Sequence, residues 1–332
     1  MNLLITGASG YIGSQLVHAL QRKILSDELK LKIIAADIQD GPRFPIDENT
    51  EYLQVDVRSP DMSTIMREKK VDTVVHLATI VTPGKKSSRE FEYSVDVKGT
   101  ENVLEACVEN DVKRIIVTSS GAAYGYHPDN PTWIKEVDEI RGNEEFAYSY
   151  HKRLVEEMLA YYRQKHPQLE QVIFRIGTIL GKNVDNQITD LFKKPVILGI
   201  SGSNSPFVFI WDQDVVSCLI QGIIGDKTGI YNVAGDGAVT IDELAAMLNK
   251  RVLRLPASLV KYSLFILKRL KLTQYGEEQI NFLRYRPVLD NRNLKENFGF
   301  IPTYTSKEVF ERYVNKNWEE ESAVSNKRPI LH

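Results

Sequence analysis

Leu3-Leu4-Ile5-Thr6-Gly7-Ala8-Ser9-Gly10-Tyr11-Ile12-Gly13 is the stretch that decides the fold. Residues 3–6 form a short apolar run suited to a buried strand, and the apolar spacing over 12–25 suits a helix. Strand, glycine turn and helix in this order open a parallel α/β sheet. Without side chains, Gly7, Gly10 and Gly13 let the backbone turn tightly, approach a pyrophosphate and pack the helix against the strand. Ser9, Tyr11 and Ile12 complete the loop, and the free amides of the helix N-terminus then face the phosphates. A glycine-rich turn without a ligand would use the same residues. The first interval is also one residue longer than in G-x-G-x-x-G, so the strand-loop-helix context carries the reading.

Outward from this loop, residues 33–37, 52–55, 73–77, 115–119 and 172–175 read as further strands. Most are continuously apolar, as expected when helices cover both faces of a parallel sheet. Helical patterns fill the gaps at 59–69, 90–109 and 147–166. The alternation predicts an α/β fold: a Rossmann-type doubly wound parallel sheet over residues 1–182. Residues 183–332 are expected to form a smaller, mainly helical substrate-binding region, with about 207–235 returning to the sheet. There, 207–211 and 230–233 read as strands around a helix at 212–224, and Thr240 with Glu243 forms a capping box. Residues beyond Pro256 read as helical up to Trp318, and the last dozen as a poorly ordered tail.

Composition excludes several functions. The chain has 332 residues, of which 42 are basic and 44 acidic, for a net charge of -2. That balance leaves no electrostatic footprint for nucleic acid. Cys107 and Cys218 are the two cysteines; their separation suggests neither a disulfide nor a metal site, and both read as core residues. No leader pattern precedes the first strand, and the apolar run at 262–267 is too short to span a bilayer, so the expected location is the cytoplasm.

Asp37 ends the second strand, where a carboxylate can accept hydrogen bonds from the adenosine ribose and would repel a 2′-phosphate. The next residues, Ile38 and Gln39, supply no cation, and Arg43 is the nearest; the cofactor predicted is NAD. Asp56, beside Val57 after the third strand, is placed near the adenine amino group.

Tyr148 and Lys152, four residues apart, share one face of the helix at 147–166. The lysine charge would draw the phenol pKa toward the working range, so that a phenolate could take a proton from a substrate hydroxyl. Tyr150 has no lysine four residues on. Ser119 and Ser120 end the fifth strand on the ligand side of the sheet. Ser120 is assigned to catalysis and Ser119 to the cofactor side, the reverse order being the alternative.

Gly7-x-x-Gly10-x-x-Gly13, His76-Leu77-Ala78, Ser119-Ser120-Gly121-Ala122-Ala123-Tyr124-Gly125 and Tyr148-x-x-x-Lys152 occur in the order of the extended short-chain dehydrogenase/reductases. The chain resembles their NAD-dependent epimerase/dehydratase group. The resemblance spans nearly the whole chain, since 207–215 and 297–302 also match typical C-terminal segments. It implies that Tyr148 is the acid/base, Lys152 its partner and Ser120 the substrate hydrogen-bond donor. It further implies that Leu77, Ala78 and Thr79 line the cofactor, that the backbone after Arg175 borders nicotinamide, and that the helices at 90–109 and 147–166 pack into a homodimer.

Four positions depart from the sugar-nucleotide members. Thr178 replaces an asparagine, Lys182 a proline, Ser205-Pro206 an arginine, and Asp96 the asparagine before Gly99-Thr100. Arg284 and Arg286 are the cations available as replacements for diphosphate contacts, and Trp211, Tyr262 and Tyr285 the aromatics available to stack a ring. Three functions follow. The first is an epimerase or dehydratase of a nucleotide sugar. The second is an NAD-dependent dehydrogenase or reductase of a non-nucleotide alcohol or ketone. The third is a catalytically dead NAD sensor, against which the intact serine, tyrosine and lysine speak.

Overall fold

The computed structural model describes residues 1–82, 84, 87–270, 276 and 279–318. The expected disordered tail lies outside them. Among the described residues there are eleven strands: β1 (Asn2–Thr6), β2 (Lys32–Asp37), β3 (Thr50–Gln54), β4 (Thr73–His76), β5 (Arg114–Ser120), β6 (Glu170–Ile176), β7 (Thr178–Leu180), β8 (Ile197–Ile200), β9 (Phe209–Trp211), β10 (Gly229–Val233) and β11 (Val252–Leu255). Seven of them form one sheet in the order β10-β6-β5-β4-β1-β2-β3. Every pairing in it is parallel.

Two helical layers cover the sheet because successive strand residues point to opposite faces. Leu3 and Ile5 pack beneath α1 (Tyr11–Leu25). Leu4, between them, packs on the other face. That second layer consists of α2 (Asp61–Glu68), the helix of α3 (Arg89–Tyr93) and α4 (Gly99–Glu109), and α5 (Ala147–Lys165). After α6 (Gln187–Lys193), α7 (Asp212–Ile224) joins α1 on the first face. Cys107 and Cys218 are free and buried, one in each layer.

The predicted helix over 90–109 exists but changes pitch. Ser94–Lys98 is a π-helical turn between α3 and α4, and it buries Asp96. Such turns recur at functional sites because the extra residue re-aims a side chain.

The C-terminal region departs further from expectation. Of residues 207–235, only β10 joins the main sheet, whereas β9 pairs with β7. Strands β8 and β11, neither of which was predicted, form a separate parallel pair. Among the described residues the remaining helices are α8 (Ile241–Met247), α9 (Ala257–Arg269), α10 (Gln279–Arg284) and α11 (Ser306–Asn315). Thr240 and Glu243 make the expected capping box at α8. Among the described residues, no helix is long and apolar enough to cross a membrane.

Candidate active site

A cleft of about 580 Å³ opens at the carboxyl ends of β1, β4, β5 and β6. The strand order reverses there, between β1 and β4, which is where open α/β sheets bind ligands. Gly7, Gly10, Tyr11, Ile12 and Gly13 line one end. Gly7 has φ +68°, and a Cβ on it would lie 2.8 Å from the Ala78 nitrogen. A Cβ on Gly13 would lie 2.2 Å from the Gly7 carbonyl oxygen. The loop is thus a cradle that side chains would fill. The Ser9 amide donates to Asp37 Oδ2 at 2.9 Å and the Gln39 amide to Oδ1 at 3.1 Å, which fixes the carboxylate at the end of β2. Tyr11 turns its hydroxyl onto Asp212 at 2.6 Å. These residues fit a dinucleotide: backbone amides for the pyrophosphate and an oriented acid for the ribose.

Leu77 and Thr79 line the cleft, while Ala78 forms the surface on which Gly7 packs. The side chains of Asp56, Val57 and Arg175 are engaged with other protein groups. Asp56 is not among the cleft-lining residues; Arg58 grips it at 2.6 Å and holds its carboxyl below the usual range. Val57 is buried against Gly99. The Arg175 guanidinium is bound by Glu156 at 2.5 Å and by the Tyr124 hydroxyl at 2.8 Å. Ile176 and Gly177, just after it, line the cleft through the continuing chain.

Ser119, Ser120, Tyr148 and Lys152 meet in the middle of the cleft. The Ser119 hydroxyl donates to Glu156 at 2.5 Å. It is therefore engaged, whereas Ser120 caps the following turn by accepting the Ala122 amide and also hydrogen-bonds Tyr148. Burial pushes the Tyr148 phenol up to about 12, the Ser120 hydrogen bond opposes this, and the Asp96 charge adds to the rise. Lys152 Nζ lies 5.7 Å from the Tyr148 ring centre and donates to the Thr118 carbonyl at 3.1 Å. Burial holds its ammonium below the usual lysine range, with Asp96 and Glu156 working the other way.

Asp96, the departure noted in the sequence, underlies this group. Its Oδ1 accepts from the Thr79 hydroxyl and the Ile80 amide, and its Oδ2 pairs with His151 Nδ1 at 3.1 Å. A cavity of about 10 Å³ separates it from Lys152, His76 and Thr100. That space is about the size of one water molecule. Burial and the Lys152 charge lower His76 to about 4, so a neutral imidazole faces this cavity.

The outer wall corrects the choice of substrate residues. Trp211 packs on Tyr304, Tyr262 is exposed on α9, and Tyr285 lies beneath Arg284; none of the three lines the cleft. Tyr126, Phe146, Phe207 and Phe282 form its aromatic wall instead. Arg286 also lines it, with its guanidinium 3.8 Å over the Phe207 ring and donating to the Ser205 carbonyl at 3.1 Å. Its Nε is buried with no partner, and burial lowers its pKa to about 9. Among the described residues no carboxylate pairs with it. The paired cysteine-like spacing rules that find metal sites have no counterpart for such a wall, because its residues lie 80 or so positions apart along the chain.

A glycine cradle at the switch point, joined to an acid after β2, defines a dinucleotide-dependent oxidoreductase. The model of the NAD-dependent epimerase/dehydratase family matches residues 3–212, and the chain belongs to that family, with NAD as its cofactor. An uncharacterized protein of Mycobacterium tuberculosis is 22% identical over 318 residues, which is 94% of this chain and 82% of that protein. The UDP-glucose 4-epimerase of Halalkalibacterium halodurans is 28% identical over 221 residues, covering 64% of this chain and 63% of its own. In structure, the chain resembles DesIV of Streptomyces venezuelae, a dTDP-glucose 4,6-dehydratase with NAD and TYD bound. The TM-score is 0.72 at 19% identity, over 96% of this chain and 99% of the other.

Proposed function

We propose that the protein oxidises a hydroxyl-bearing carbon of a nucleotide sugar and completes an epimerase- or dehydratase-type conversion through Ser120, Tyr148 and Lys152. The observation that carries this reading is one continuous cleft. It holds the glycine cradle, the three reactive side chains and a buried arginine without a carboxylate. Tyr148, as phenolate, takes the hydroxyl proton. Ser120 hydrogen-bonds the reacting oxygen and keeps it against the phenol. Lys152 supplies the positive charge that favours the phenolate. Bound NAD supplies the hydride acceptor and donor.

Arg286 supplies the anion contact. The arginine usual before β9 is replaced by Ser205-Pro206, yet Ser205 uses both its hydroxyl and its carbonyl to hold Arg286. A guanidinium from 81 residues further on thus takes the place of the missing one. Arg286→Met should raise KM for a nucleotide sugar by about 10- to 100-fold with kcat little changed, the range expected for losing a hydrogen bond to a charged group. Steady-state kinetics check this, and an unchanged KM removes Arg286 from substrate binding.

Asp96 faces Tyr148 and Lys152 as a carboxylate, at the position where the resemblance to sugar-nucleotide members implies an asparagine. Its charge disfavours the phenolate, so Asp96→Asn should move the rising limb of the pH-rate profile for oxidation to lower pH. The near-isosteric amide keeps the acceptor for Thr79 and Ile80. A limb that stays in place or moves to higher pH contradicts the assignment.

The aromatic wall favours a second reading, a dehydrogenase of an apolar alcohol or ketone. One experiment separates the two: a screen of nucleotide sugars and simple alcohols that follows both NADH absorbance and product identity. An isomerised or dehydrated sugar without net NADH supports the first reading. Stoichiometric NADH from a simple alcohol, with no sugar product, replaces it with the second.

A further inference from the structure

Among the described residues, three cations line the cleft: Arg43, Lys152 and Arg286. Lys152 stands beside Tyr148, and Arg286 belongs to the aromatic wall with Phe207. Arg43 lies in the loop between β2 and β3, just after Asp37 closes β2. That loop is fastened beside the glycine cradle. The Ser9 amide donates to Asp37 at 2.9 Å, and the Ser9 hydroxyl to the Gly41 carbonyl at 3.5 Å. The Tyr52 hydroxyl donates to the Gln39 carbonyl at 2.7 Å, and Gln21 Nε2 to the Pro45 carbonyl at 2.8 Å. Phe44 is buried in the core layer of α1, with its ring edge-on to Tyr52. Arg43, next to this anchor, is exposed and lines the cleft.

The acids around Arg43 are engaged elsewhere. Asp37 accepts the amides of Ser9 and Gln39, Asp40 accepts from Gln54 at 2.9 Å, and Asp47 accepts the Asn49 amide at 3.0 Å. Among the described residues no carboxylate pairs with Arg43. The cradle itself is neutral: the first turn of α1 holds no acid, and Gly10 at its N-cap has no side chain to occupy the free amides. Those amides can donate to phosphate oxygens, but they bring only the partial charge of the helix dipole. Each phosphate of a dinucleotide carries a full negative charge. A guanidinium on the same end of the cleft supplies the formal charge that the amides lack, through hydrogen bonds strengthened by that charge.

We propose that Arg43 is a cofactor-binding residue that covers the pyrophosphate of NAD from the loop after β2. The glycine cradle holds the phosphates from one side through backbone amides, and Arg43 closes the other side with a side chain. A phosphate on the ribose 2′-position is the competing partner for a cation in this loop. Asp37 repels a phosphate there, so the pyrophosphate is the one left for Arg43. The proposal concerns the cofactor alone and holds for either substrate reading.

Calorimetric titration of the full chain, freed of nucleotide, with NAD and separately with NADP tests it. No substrate is present, so the result does not depend on which substrate reading holds. Arg43→Gln should weaken NAD binding by about 10- to 100-fold, the range expected for losing a hydrogen bond to a charged group. NADP should lose a comparable factor, because it carries the same pyrophosphate. Rising salt should weaken the wild type more than the variant, since the lost contact is between exposed charges. Arg43 is exposed and has no protein partner, so the melting temperature without nucleotide should be retained, which shows that the variant is folded. Two results overturn the proposal: NAD affinity unchanged within about twofold, or a loss confined to NADP, which would put the guanidinium at the 2′-position instead.

Discussion

Tyr148→Phe is expected to reduce turnover by about 10²- to 10⁴-fold, the usual contribution of a positioned acid or base, while NAD binding stays nearly unchanged. The ring sits against Phe146 at 6.4 Å between centres, and phenylalanine preserves that packing. What is lost is the single oxygen that hydrogen-bonds Ser120 and faces the Lys152 charge. The glycine cradle and Asp37 lie on other elements and do not depend on that oxygen. Calorimetric titration with NAD, alongside product formation from the substrate found in the screen, separates the two quantities. Turnover retained within a few-fold would remove Tyr148 from the acid/base role.

The largest expected effect on stability comes from Glu156→Ala. Glu156 is buried on α5 and holds three contacts at once: Arg175 Nε, Arg175 Nη2 and the Ser119 hydroxyl. Arg175 is equally buried, and the charge of Glu156 raises its pKa against the effect of burial. Removing the carboxylate leaves a guanidinium out of water with only Tyr124 and the Glu136 carbonyl as acceptors. Breaking one side of a buried pair costs about 3–5 kcal/mol, or roughly 4–7 °C in melting temperature for a chain of this size. Glu156→Gln, which keeps an acceptor for both partners, should lose less. Equal melting temperatures for wild type and Glu156→Ala would show that the pair carries no net stability. The same variant frees the Ser119 hydroxyl at the end of β5, so a change in NAD affinity is expected beside the loss of stability.

Much of the site was legible because it is local. Gly7 to Gly13 is a continuous stretch whose backbone does the work, so residue type and spacing are sufficient to announce it. Tyr148 and Lys152 are one helical turn apart, and Ser120 ends a strand in a sheet whose ligand side follows from its connectivity. The partner of Asp56 was missed for an equally local reason. Arg58, two residues on, neutralises it, and an isolated acid after a strand gives no sign of that. The chain after Arg175 lines the cleft as expected, but the ion pair of Arg175 with Glu156, on a helix 19 residues earlier, was not legible, because a buried pair leaves no periodic trace.

By itself the sequence determined the alternation of strand and helix and the family, and it pointed to the glycine loop, the acid after β2 and the three residues proposed for catalysis. Hydrophobic period and glycine placement act within one element or one turn. Tertiary structure alone decided the rest. It brought Arg286 onto Ser205 across 81 positions, paired Asp96 with His151 across 55, and set β9 against β7 instead of the main sheet. It also left the apolar side of α9 facing outward, where the sequence showed only an apolar run flanked by lysines. These outcomes depend on which faces remain uncovered once the sheet and its two helical layers have packed, and that is a property of the whole chain and not of any stretch of it.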